Sequence, residues 1–238
     1  MPLNIGGNLI NSEIVKRYPT TKTLRGGLLL HVDAYVPESY PGSGATFYDL
    51  SGNNNNFSIT GATWNSAGYF SFNGSSTYMN NTSFSVPGLT NTASCIVWLK
   101  PDAGQSDGTY NGLFSYGIRS CASQTFLMSM NNSYGPTMAK WCDDFTSPTA
   151  TMNTSTWWQY TLVLNGTSVA FYLNGSAAGS GTLAGGNNIG VGTAAIGATD
   201  LYGRIFKGSI ASVKFYNRVL SLTEITNNYN IEKSKFGL

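Results

Sequence analysis

The sequence predicts an antiparallel, all-β fold built from two sheets, and three observations lead there. Apolar and polar residues alternate in many short runs, the period of strands that bury one face. Asn-Gly dipeptides at 165–166 and 174–175 separate such runs, and this pair is favoured in hairpins because both turn residues need positive φ. Only one stretch, after Leu220, carries the marks of a helix start. A chain of 238 residues is ordinary for a single two-sheet β protein and long enough for a full core.

Residues 1–26 stand apart from the rest. Gly6-Gly7 and Gly26-Gly27 bracket a segment carrying Lys16, Arg17, Lys22 and Arg25 with little periodicity. It reads as an extended arm in one of two ways: a disordered terminus, or an anchor that becomes ordered on a partner. Ile5, Leu9, Ile10, Lys16 and Arg17 are its anchoring candidates. Residues 27–238 form the body, a sandwich ending in a short helix and tail.

In residues 28–35, Leu28, Leu30, Val32 and Ala34 fall on one face, and His31 and Asp33 on the other. The single histidine therefore reads as a strand residue, since no second His or Cys is arranged around it. Residues 39–56 are rich in turn formers. Residues 69–72 make a strand closed by Asn73-Gly74. In residues 93–100, Cys95, Val97 and Leu99 share one face, and Ile96 and Trp98 the other. Strands follow at 112–117 and 125–130.

Tyr134, Trp141, Asp143 and Asp144 come next, in a stretch without clear periodicity. Aromatic rings beside carboxylates can stack on a sugar face and accept its hydroxyl hydrogens, so these four are the ligand-binding candidates. The competing reading makes Trp141 a cover for the core edge and the two aspartates the start of a polar turn.

Residues 157–176 form a meander. Trp158, Tyr160, Leu162 and Leu164 align on one face, and Val169, Phe171 and Leu173 align on the returning run. Gly-rich residues 178–192 then link to a short strand at 194–197, with Asp200 in the following turn. Residues 209–216 alternate again, Ala211, Val213 and Phe215 against Ser212 and Lys214, as a half-buried strand. Ser221 and Glu224 have the spacing of a capping box, with Leu220 and Ile225 as its hydrophobic staple. Leu222, Ile225 and Tyr229 form a narrow apolar stripe that should lie on the sheet.

Composition excludes several functions. Charged residues are 10% of the chain and the net charge is +2, too weak a field for nucleic acid or an anionic membrane. No apolar run reaches the length of a membrane span, and the N-terminus lacks the apolar block of a signal peptide, so synthesis in a cytoplasm is expected. Cys95, Cys121 and Cys142 suggest neither a disulfide framework nor a zinc site; a Cys121–Cys142 bridge stays open. Sequons at Asn73, Asn153, Asn165 and Asn174 mark polar loops. The glycines of 185–192 precede no helix, which removes nucleotide binding. The single His31, without G-x-S-x-G or an acid partner, supports no serine hydrolase.

Several motifs carry a resemblance. Gly208, Ile210, Val213, Tyr216, Asn217, Arg218, Leu220, Ser221, Glu224 and Ile225 resemble the C-terminal signature of laminin-G-like domains in the concanavalin A-like lectin/glucanase superfamily. The pattern W-x-x-Y-T-L-V-L-N-G, followed by F-Y-L-N-G, resembles the paired central strands of that fold. S-Y-P-G-S-G at 39–44 and D-L-S-G-N at 49–53 resemble laminin-G-like modules of phage virion proteins, and the opening M-x-L-N-I-G-G-N resembles the start of tailed-phage virion proteins.

The resemblance spans residues 27–230 and implies a concanavalin A-like jelly roll, two sheets of six or seven strands each with one short C-terminal helix. Family members carry acids where this chain has Asn73 and Thr77, so no metal or other cofactor is expected. Glucanases of the superfamily place their carboxylates as E-x-D-x-x-E on one strand. The only glutamates here are Glu13, Glu38, Glu224 and Glu232, so no enzyme is expected. The implied function is a virion structural protein of a tailed phage, an exterior capsid decoration module held by the arm or a sandwich face. It would be made in the host cytoplasm and partnered by capsid or tail proteins. The alternative is an adhesin binding a host-surface glycan. Self-association stays open.

Overall fold

The structure is a computed structural model that describes residues 25–86, 89, 91–105, 110–117, 125–140, 143–147, 149–185, 189, 192–199 and 203–238. Two eight-stranded sheets face each other. The first runs β14 (Ser176–Thr182), β13 (Ser168–Leu173), β12 (Trp158–Asn165), β7 (Thr92–Pro101), β16 (Lys207–Tyr216), β5 (Tyr69–Asn73), β4 (Thr63–Asn65). β1 (Leu28–Asp33) pairs with the C-terminal half of β16, beyond the half taken by β5. The second sheet runs β11 (Asp144–Thr146), β10 (Pro136–Ala139), β9 (Thr125–Met130), β8 (Asn111–Gly117), β15 (Thr193–Ile196), β6 (Tyr78–Asn81), β3 (Phe57–Thr60), β2 (Thr46–Phe47). Eight strands per sheet exceed the six or seven expected. The additional ones include β2, β4, β10 and β11, too short to show a period, and the Gly- and Ser-rich β14.

The alternation places the core as expected across the central strands. Cys95, Val97 and Leu99 of β7 meet Tyr160, Leu162 and Leu164 of β12 and Val169 and Phe171 of β13 in one cluster. Phe215 joins them from β16 and lies 4.9 Å from Phe114 and 5.1 Å from Phe126 of the facing sheet. Rings of this size contribute roughly 1.5–3 kcal/mol each on burial.

Two bulges correct the face assignments. In β1 the register shifts between Leu28 and Leu30, so Leu30 and Val32 enter the core while Leu28 packs on the other side with Ile96, Tyr216 and Ile225. In β16 it shifts between Ile210 and Ser212, so the core-facing residues are Ile210, Val213 and Phe215 and Ala211 drops out of the alternation. An inserted residue reverses every side chain beyond it, which sequence period alone does not reveal. The hairpin turns also differ. Asn174 and Gly175 both have positive φ, but Asn165 pairs with Ser168 in the ladder, and of the first dipeptide only Gly166 has positive φ.

Helix α1 (Leu222–Glu232) begins with the capping box: Ser221 N–H donates to Glu224 Oε2 at 2.8 Å, and Glu224 N–H to Ser221 Oγ at 3.3 Å. Leu220 and Ile225 pack in one cluster. The expected stripe is corrected at its first position. Leu222 is 56% exposed, and the residues turned to the sheet are Ile225, Asn228 and Glu232, with Tyr229 half-buried beside them. The spacing i, i+3, i+7 is that of one helix face, but two of its three members are polar.

Those polar residues meet the polar face of β16, which is buried rather than half-exposed. Lys214 donates to Glu232 Oε1 at 2.6 Å and to Asn228 Oδ1 at 3.2 Å, and Trp98 Nε1 donates to Glu232 Oε2 at 2.8 Å. The Trp98 ring stacks on Phe236 at 4.0 Å and Tyr229 at 5.9 Å. Lys235 pairs with Asp33 at 3.0 Å. Burial alone would raise the Glu232 carboxyl, but the Lys214 and Lys235 charges and the donated hydrogen bonds hold it below its usual range. Burial, with the Lys214 ammonium, lowers His31 to about 3.

Two predictions follow from this layer. Glu232→Ala leaves the Lys214 ammonium buried without its counter-charge and should cost about 3–5 kcal/mol, read as a lower urea midpoint. His31 is depressed from 6.5 to about 3, so the unfolded chain binds more protons throughout that window and stability falls as pH drops below 6.5. Hydrogen bonds from Arg218 depress Glu224 from 4.5 to about 2, so its contribution is complete above 4.5 and disappears as pH falls toward 2. Thermal midpoints measured against pH should show both declines, with His31→Leu removing the one that begins near 6.5.

Candidate functional site

The stretch containing the ligand candidates is ordered by β10 and β11, the edge hairpin of the second sheet. Upstream of it, Tyr134 sits at φ 62° in a turn organised by Asn131, whose Oδ1 accepts from the N–H groups of Ser133 and Gly135 at 2.9 Å. Its ring is half-buried against the core and its carbonyl accepts from Met152 N–H at 2.9 Å. Tyr134 is therefore engaged within the fold rather than gathered with the aspartates. Trp141 lies outside the described residues, as do Cys121, Cys142, Asp200 and the anchoring candidates Ile5, Leu9, Ile10, Lys16 and Arg17.

Asp143 and Asp144 turn to different partners. Asp143 forms an ion pair at 2.8 Å with Lys140, whose side chain is fully buried, and accepts from Gly185 N–H at 3.2 Å. Lys140 also donates to the Gly185 carbonyl. Burial acts to raise the Asp143 carboxyl, but the hydrogen bonds from Lys140 and Gly185 outweigh it and lower it on balance. This carboxylate thus fastens residues 184–185 to the end of β10.

Asp144 is exposed and accepts a hydrogen bond from Tyr110, whose hydroxyl is pushed up to about 12 by burial first and by that bond second. The Arg204 guanidinium lies 4.9 Å from the centroid of the Tyr110 ring. Carboxylate, ring and guanidinium together can accept, stack and donate, the three contacts a saccharide offers. Sequence reading missed Tyr110 and Arg204, because neither stands in a periodic run and both are far from Asp144 in the chain.

Three of the described acids brace the fold through cations. A glycosidase needs one carboxyl kept protonated. Glu224, Glu232 and Asp143 are instead all held below their usual range by cations. Asn73 and Thr77 close a turn on themselves. Asn73 Oδ1 accepts from Ser75 and Ser76 N–H at 2.9 Å and from Thr77 Oγ1 at 3.1 Å. Among the described residues, no three His, Cys, Asp or Glu side chains lie together as a metal site, and no helix is long and apolar enough to cross a membrane. Cys95 is buried, and burial pushes its thiol up.

A second aromatic group occupies the outer face of the first sheet. The Tyr69 and Trp157 ring centroids are 5.6 Å apart, and Trp157 lies 4.8 Å from Phe236. The Lys100 ammonium sits 5.5 Å from the Tyr69 ring and 5.6 Å from that of Trp157.

Comparison with solved structures places this architecture among lectin-like sandwiches. Domain 4 of AbnA, a GH43 extracellular arabinanase from Geobacillus stearothermophilus solved with arabinotriose, superposes with a TM-score of 0.62 at 18% identity, over 84% of this chain and 97% of that domain. Trypanosoma rangeli sialidase in complex with sialic acid gives 0.66 at 14% identity, over 87% of this chain and 33% of the sialidase. The binding domain of botulinum neurotoxin serotype D gives 0.63 at 13% identity, over 88% and 53%. The chain thus spans a third of the sialidase and about half of the toxin domain. No curated protein matches the sequence. A laminin-G family model, described as concanavalin A-like lectin/glucanases superfamily, matches residues 73–226, well over half of the chain. Together with the two antiparallel sheets and the capped closing helix, that match establishes that the chain belongs to the concanavalin A-like lectin/glucanases superfamily.

Proposed function

We propose that this protein is a non-catalytic structural module of a tailed-phage virion, an exterior capsid decoration held through residues 1–26. The root of the arm carries the reading. Arg218 Nε donates to the Gly26 carbonyl at 2.6 Å, Asn217 N–H to the Gly27 carbonyl at 2.9 Å, and Leu28 N–H to the Arg25 carbonyl at 3.1 Å. Gly27 has φ 73°, and a Cβ there would stand 2.6 Å from Asn217 Oδ1, so a side chain is excluded on two grounds. Arg218 in turn pairs with Glu224 of the helix cap at 2.7 Å. A load on the arm is therefore delivered to the closing motif and the central strand. The resemblance of the opening residues and the 39–53 loop to virion proteins supports the location.

A second reading, carbohydrate binding at a host surface, is favoured by a specific observation. The arabinanase domain whose length this chain matches was solved with arabinotriose, and the exposed Asp144 with Tyr110 and Arg204 supplies suitable chemistry. An external virion protein can combine the two roles.

Particles grown with a chain lacking residues 1–26 should lose the protein, as read by mass spectrometry of purified virions, while Asp144→Ala particles retain it. Retention of the truncated chain would exclude attachment through the arm. Absence of the intact protein from particles would exclude the virion location altogether.

A further inference from the structure

We propose that the outer face of the first sheet, at the end left open by the C-terminal helix, is a binding site for an acidic saccharide, a sugar ring carrying a carboxylate. The proposal rests on the carbohydrate-binding reading and names a second surface and a ligand class for it. Its basis is a row of polar side chains across four neighbouring strands. Lys100 of β7 pairs in register with Ser209 of β16, Ser209 with Ser71 of β5, and Ser71 with Thr63 of β4. Their sequence neighbours Leu99, Ile210, Phe70 and Phe72 enter the core, so all four point outward. Strands about 4.8 Å apart spread this row over roughly 14 Å, the span of two or three sugar rings.

None of these groups has a hydrogen-bond or ion-pair partner among the described residues. Among the described residues, Lys100 has no carboxylate within ion-pair distance and its only partners are the Tyr69 and Trp157 rings. Asp102, two residues on, does not pair with it. The acids nearest the helix are consumed elsewhere: Glu232 by Lys214, Asp33 by Lys235 and Glu224 by Arg218. Among the described residues the hydroxyls of Thr63, Ser71 and Ser209 make no hydrogen bond; Thr63 and Ser71 are exposed, whereas Ser209 is buried between them and Lys100 in the row.

The chemistry selects the ligand. An ammonium whose only neighbours are ring faces is attracted to them by about 0.5–1 kcal/mol at a partly exposed site, less than the charge-assisted hydrogen bonds a carboxylate would give it. The half-buried Trp157, backed by Phe236 at 4.8 Å, offers a fixed apolar face for the ring of a sugar. The exposed Ser71 and Thr63 hydroxyls exchange hydrogen bonds with the sugar hydroxyls. A neutral glycan would leave Lys100 unused, and an acidic peptide would leave the hydroxyl row unmatched.

The test titrates the full chain with glucuronate and with N-acetylneuraminate, followed by saturation-transfer NMR and tryptophan fluorescence. Methyl glucoside and tetraglutamate serve as controls. Both acidic sugars should bind and both controls bind at least about tenfold more weakly, the loss of one charge-assisted hydrogen bond. Lys100→Gln should weaken the acids about tenfold at an unchanged thermal midpoint while Lys100→Arg retains them, and Trp157→Ala should weaken them as well. Equal binding of methyl glucoside or of tetraglutamate overturns the ligand class. Acid binding untouched by Lys100→Gln but lost in Arg204→Gln overturns this surface while the carbohydrate reading stands. If no saccharide binds at all, both fall together.

Discussion

Lys214 lies near the C-terminal end of the central strand with its ammonium on the side of the sheet that faces away from the core. β16 has β7 along one edge and both β5 and β1 along the other, so its backbone is fully paired. A charge left on its outer face must then be either in water or neutralised. The chain neutralises it with Glu232, eighteen residues later, and that choice dictates the ending of the protein. A helix has to lie across the sheet to bring Glu232 down. Its start must be fixed for the register of that contact to hold, and the capping box with Leu220 and Ile225 fixes it. Arg218, which braces the cap through Glu224, is also the residue that holds Gly26. The interaction thus couples the last helix, the central strand and the root of the arm.

Other groups under the same helix depend on that layer. The Gln159 amide, the Thr161 hydroxyl, the Tyr216 hydroxyl and His31 Nε2 are buried without a hydrogen-bond partner among the described residues. Thr161, Ile96, Lys214 and His31 stand in one register row across β12, β7, β16 and β1. Polar groups buried in this way each cost about 1–3 kcal/mol. The stacking of Trp98 between Phe236 and Tyr229, and the apolar patch of Leu28, Ile96, Val163 and Ile225, offset that cost on the same face. Stability here comes from apolar flanks, and the ion pair sets which way the helix lies.

What could be read from the sequence divides along the same physical line. Local patterns were sufficient for β7, where Cys95 and Val97 face the core and Trp98 faces out, for the β12–β13 hairpin and for the helix cap. Each is fixed by residues within a few positions of one another. Leu222 was misjudged because helical period gives a stripe but not which stripe meets a sheet whose outer face is itself polar. Bulges at Leu29 and Ala211 escape because they are set by partner strands. β14 escaped because Gly and Ser carry no period. The sequence groups Asp143 and Asp144 as one polar focus, whereas their partners are Lys140 for the first and Tyr110 for the second, and no local rule connects Asp144 to a tyrosine 34 positions earlier. The row from Lys100 to Thr63 is the extreme case: four residues from four strands, visible only once register is known.

The geometry of β16 also reconciles anchoring with recognition. Asn217, immediately beyond its C-terminal end, is bonded to Gly27 at the arm root, whereas Ser209, near its start, belongs to the polar row. A strand rises about 3.3 Å per residue, so the two sites are separated by roughly 25 Å along one rigid, doubly paired strand. A module held by its arm would present the row at the far end of the same sheet. Attachment and ligand contact then need not compete for one face. The paired strand between them transmits position but requires no conformational change.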